Sequence, residues 1–79
     1  MATEAKRQNT RRASEAELAI RTHAIRKGDA YADRKTRLTD LLTDHRHWAR
    51  RHEVDFTAAD RIAHDHFMCE VSEEGGYRS

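Results

Sequence analysis

The sequence predicts an all-α protein, a small antiparallel helical hairpin or three-helix bundle with a flexible basic N-terminal arm. Three observations carry that expectation. Proline is absent and glycine stands only at 28, 75 and 76, so residues 13–72 hold almost no backbone breakers. Apolar residues recur at three- and four-residue intervals, the period of one helix face rather than the alternation of a strand. Hydroxyl or acidic side chains stand where helices would begin, and Gly28 stands where one would end.

Residues 1–12 are polar and basic without periodicity, and read as a flexible arm carrying Lys6, Arg7, Arg11 and Arg12. Residues 13–72 form the single helical domain, and 73–79 a flexible tail. The first helix spans about 14–27. Ser14 with Glu17 fits a capping box, in which each side chain bonds the other's backbone N–H. Lys27 suits a helix C-terminus and Gly28 its stop, with Asp29 placed to cap the next helix. The series Ile20, Ala24, Tyr31, Leu38, Leu41, His45, Trp48, His52 nevertheless runs through Gly28 in heptad register. A glycine costs a helix only about 1 kcal/mol against alanine, so a continuous helix stays open beside the preferred break.

The second helix, 29–52, has the best-defined face. At about 100° per residue, Tyr31, Leu38, Leu41, Leu42, Trp48 and Ala49 share one arc, with His45 and His52 inside it. Asp33, Asp40, Asp44, His47 and Arg51 lie opposite, on the expected outer face. EVDF, residues 53–56, makes a short turn. Thr57 with Asp60 resembles a second capping box for a third helix over 57–71, with Phe56 stapled onto Arg61 or Ile62. The short connection predicts an antiparallel pair.

Composition limits function. A chain of 79 residues buries only about 60% of its unfolded surface, so a partner is expected. No apolar run is long enough for a membrane span. The first residues lack the apolar stretch of a signal peptide, and the lone Cys69 can form no internal disulfide, so a reducing cytoplasm is the expected setting. The net charge of +1 hides a gradient of +4 over residues 1–27, +1 over 28–53 and −4 over 54–79. A basic front and an acidic rear suit a chain that folds back on itself or pairs head to tail. Twelve arginines against three lysines suggest GC-rich coding sequence, as in a high-GC bacterium, its phages or its plasmids.

Three chemistries compete for the polar residues. In IAHDHFMCE, residues 62–70, His64 and His66 sit about 200° apart on a helix and cannot share one ion. His66 with Cys69, facing His45 or His52, is the remaining metal candidate, and a half-buried polar core seam is the preferred reading. In HRHWARRH, residues 45–52, Arg46, Arg50 and Arg51 form a basic patch that, with the arm, could hold phosphates. The acidic outer face of the third helix, with Asp60, Asp65 and Glu70, speaks against a DNA-reading helix. Catalysis is not expected. Cys69 stands near a helix C-terminus, where the dipole disfavours a thiolate, and no glycine-rich turn offers an oxyanion hole.

The leading expectation is a non-enzymatic, cofactor-free helical module that binds another macromolecule, most readily a protein, or a second copy. Tyr31, Leu38, Leu41, Leu42, His45 and Trp48 would form the interface. A phage- or plasmid-type inhibitor or accessory factor has this character. Nucleic-acid binding through Lys6, Arg7, Arg11, Arg12, Arg46, Arg50 and Arg51 is the first alternative, and metal binding the second. Core placement of His45, His52 and His66 would destabilise the fold below about pH 6, because buried neutral histidines resist charging.

Overall fold

The computed structural model describes residues 3–75, and among them the chain forms three helices and no strand. They are α1 (Thr3–Lys27), α2 (Arg34–Arg51) and α3 (Phe56–Ser72). Positions 1–2 of the expected arm and 76–79 of the expected tail lie outside the described residues.

The first correction concerns the arm, whose residues 3–12 are the opening turns of α1. Their composition permits this, because Glu, Ala, Lys, Arg and Gln are all strong helix formers. Local pairs support it: Glu4 accepts from Arg7 and from Gln8, and Arg12 donates to Asn9 at 2.6 Å. Ser14 and Glu17 therefore sit in mid-helix, and Glu17 pairs with Arg21 at 3.4 Å instead of closing a capping box.

Gly28 does break the chain. It takes φ +81°, its N–H donates to the Ile25 carbonyl at 3.1 Å, and the Asp29 N–H donates to the Ala24 carbonyl at 2.8 Å. Those two bonds satisfy carbonyls that the last turn would otherwise leave unpaired. The second helix then begins five residues later than expected, at Arg34. Asp33, not Asp29, is its cap, accepting from the Thr36 N–H at 2.7 Å. Tyr31 is left in the connection, fully exposed.

The end of α2 repeats the pattern without a glycine. The Glu53 N–H donates to the Arg50 carbonyl at 3.3 Å and the Val54 N–H to the Ala49 carbonyl at 2.8 Å, with Glu53 at φ +59°. Asp55 then caps α3 by accepting from the Ala58 N–H at 3.0 Å. Thr57 and Asp60, the expected box, lie inside the helix. Phe56 packs under Arg46, whose guanidinium sits 4.5 Å from the ring centroid, rather than onto Arg61 or Ile62.

The helices meet along α1. Its C-terminal half lies against α2, where His23 and Lys27 reach Asp44 at 2.7 and 3.1 Å. Its N-terminal half lies against α3, where Asn9 donates to the Glu70 carbonyl at 2.9 Å and to the Glu74 carboxylate at 2.8 Å. Arg12 adds an ion pair to Glu70 at 3.6 Å. The basic front thus closes on the acidic rear. These pairs are half-exposed, so each contributes little on its own.

Almost nothing is buried. Among the described residues only Ala24 and Ala49 are buried, at 2% and 3% exposed. The chain measures 41 × 31 × 17 Å with a radius of gyration of 15.0 Å, where a compact chain of this length would have about 12 Å. Its exposed surface is 6906 Å², against about 4,900 Å² for a compact monomer of the same mass.

Candidate interaction surface

The apolar face of α2 is open. Leu38 and Trp48 are 44% and 57% exposed, Leu42 and His45 are also exposed, and Leu41 is half-buried. Tyr31, expected on the same face, is off the helix. A neighbouring line of Arg37, Asp40, Leu41 and Asp44 is half-buried, Asp40 against its expected place on the outer face, and Asp44 bonds His23 and Lys27 of α1. Asp44, expected on the outer face, is therefore the inward-facing group. The Asp44 carboxyl is held below the usual carboxylate range, first by its hydrogen bond to His23 and then by the one to Lys27. The His23 ring is the more sequestered partner, its side chain 17% exposed. No rule of periodicity pointed to His23, because its partner lies 21 residues away.

Beyond Asp44 the face widens into a cleft. His45, Trp48 and Ala49 of α2, Val54 of the turn, and Phe56 and Ala59 of α3 line a cavity of about 390 Å³. The Trp48 indole forms one wall. Its ring stacks on His52 with centroids 4.4 Å apart and planes 23° from parallel, and His52 Nδ1 lies 2.9 Å from the Trp48 carbonyl oxygen. Trp48 thus stacks on His52 with more than half its surface open. On α3, Ile62, Phe67 and Met68 are exposed as well, with Phe67 lining a separate cavity beside Asn9, Arg12 and Ala13 of α1.

The expected polar core seam does not form. His45, His52, His66 and Cys69 are all exposed, so α2 and α3 do not close around them. His45, His66 and Cys69 do not converge, and among the described residues no three His, Cys, Asp or Glu side chains are placed to hold one ion. The placement of these residues inside the core was the error behind both readings: the helical period groups side chains on a face but does not say what covers the face.

The basic residues are dispersed. His47, Arg50 and Arg51 line a shallow concavity of about 280 Å³ on α2. Arg46 is turned to Phe56. On α1, Arg7 pairs with Glu4 and Arg12 with Glu70, leaving Lys6 and Arg11 exposed without an ion pair among the described residues. No helix among the described residues is long and apolar enough to cross a membrane. Compared with models of protein families, with curated proteins and with solved structures, the chain matches none.

Proposed function

We propose that this chain is a non-enzymatic helical interaction module that binds another protein through the open face of α2 and the cleft beside Trp48. One observation carries the reading: large apolar side chains lie on the surface while only two alanines among the described residues are buried. Soluble monomers rarely leave contiguous apolar surface of this kind uncovered, and such patches mark binding sites. Leu38, Leu42 and Trp48 supply the apolar contact, with Leu41 and His45 between them. Trp48 has the character of an anchor, being aromatic, stacked on His52 and set at a cleft. An inhibitor or accessory factor, which acts by occupying a partner's surface, fits a module of this size.

The test is capture from an extract of the native host on the tagged full chain, beside a Trp48→Glu variant of equal helicity. A protein retained by the natural chain and lost from the variant, whether foreign or an untagged copy, supports the reading. Identical proteins on both, or none on either, overturn it.

A second reading rests on His47, Arg50 and Arg51, which share one concavity and have no acidic partner within 4 Å among the described residues. Such a cluster suits phosphates of a nucleic acid. Binding to a labelled oligonucleotide should then weaken steeply with salt and on Arg50→Ala. Salt-insensitive binding, or none, removes this reading.

A further inference from the structure

Resting on the interaction-module reading, we infer that the partner on the α2 face is a second copy of this chain, docked helix to helix along a heptad seam. Leu38, Leu41, His45, Trp48 and His52 follow one another at intervals of three, four, three and four residues, the spacing that keeps one stripe facing a partner helix over successive turns. In a single helix that packs only on its own chain, the covered stripe is the one that matches the neighbour. Here the chain half-covers Arg37, Asp40, Leu41 and Asp44, so Leu41 alone of the heptad line is partly covered and Leu38, His45, Trp48 and His52 are exposed.

Three quantities select a second copy as the occupant. The chain exposes about 2,000 Å² more than a compact monomer of its mass. A stable protein–protein interface takes about 800 Å² from each side, less than this excess over the whole molecule. The formal charge of +1 leaves two copies with almost no net repulsion to overcome. A heptad stripe is complementary in spacing to an identical stripe, so the same residues serve on both sides of a two-fold contact.

The single tryptophan reports on the seam directly. In a dilution series of the natural full chain, sedimentation should give twice the 9.2 kDa chain mass at high concentration. On dilution the mass should fall toward one chain, and Trp48 emission should shift to the red with greater access to acrylamide. Leu38→Glu should weaken the dimer at least a hundredfold, while Leu18→Glu, on the exposed surface of α1, should leave it intact. Equal circular dichroism of the two variants at the highest concentration excludes misfolding, and the natural chain's dilution series needs no variant at all. A helical chain that keeps one-chain mass and dilution-independent Trp48 emission overturns the second copy. The module reading then stands or falls on capture of a foreign protein. A dimer equally weakened by both variants, or by neither, overturns the seam.

Discussion

At residue 53 a glutamate holds the left-handed conformation that ends α2, at φ +59°. An L-residue with a Cβ costs about 1–2 kcal/mol in that region, because the side chain approaches the following carbonyl. Gly28 does the same work at the end of α1 at φ +81°, and no atom lies within 4 Å of where its Cβ would be. The pair therefore makes a controlled comparison. Glu53→Gly should raise stability by about 0.5–1 kcal/mol, the relief of strain being partly offset by the freer unfolded chain. Gly28→Ala should lower it by about 1 kcal/mol through the backbone alone. Urea midpoints should move in opposite directions, with slopes unchanged; equal or like-signed shifts would contradict the cap geometry. Asp55→Ala, which deletes the α3 cap, should cost a further ~1 kcal/mol, and Asp55→Asn much less, because an amide oxygen can still accept from Ala58. The stop at Gly28 was legible because glycine is the residue that favours positive φ. The stop at Glu53 was not, since glutamate carries no such signal, and the Asp55 cap is masked by the box-like pair of Thr57 and Asp60 two residues further on.

At the scale of elements, the contact between α1 and α2 is held by Asp44 with His23 and Lys27. The hydrogen bonds to His23 and Lys27 lower the Asp44 pKa in the folded chain below its ordinary 3.8. The sign follows from linkage. A depressed carboxylate contributes stability that is present above the unfolded pKa and lost as pH falls through the folded one. The attachment of α1 to α2 should thus hold at pH 5–7 and loosen below about pH 4. Asp33 shares the direction through its bond to the Thr36 N–H, so the two are separated by substitution. Asp44→Asn should flatten the acid limb of the denaturation curve, and Asp33→Asn should remove only the cap's part. A curve unchanged by Asp44→Asn would show that the cluster adds nothing. Within one chain the loss expected near pH 6 has no basis, because His45, His52 and His66 face solvent. Periodicity placed Asp44 outside by assuming that the apolar stripe of α2 faces its own chain. The heptad order itself was legible, but its covering was not, because nothing local to α2 records that α1 extends back to residue 3 and binds the opposite end of the chain through Asn9 and Arg12.

At the scale of the molecule, three helices that bury only two alanines among the described residues cannot draw their stability from a core of their own. Hydrophobic burial is the main favourable term in folding, and a chain with a radius of gyration of 15.0 Å leaves most of that term unrealised. If the seam on α2 supplies the missing burial between two copies, folding and association are one equilibrium, and stability depends on concentration. A tenfold rise in concentration is worth about 1.4 kcal/mol to such a dimer. For a folded unit of twice 79 residues, that corresponds to a melting midpoint roughly 3–6 °C higher per decade. Melting followed by circular dichroism across two decades should show this slope for the natural chain, and for Leu38→Glu a midpoint lower at every concentration. The exposed Leu18 on α1 serves as the control, since Leu18→Glu should keep the slope. A flat midpoint in the natural chain would mean that three helices pinned by Asp44, Asn9 and Arg12 stand alone. The polar contacts along α1, rather than a shared apolar seam, would then have to carry the fold.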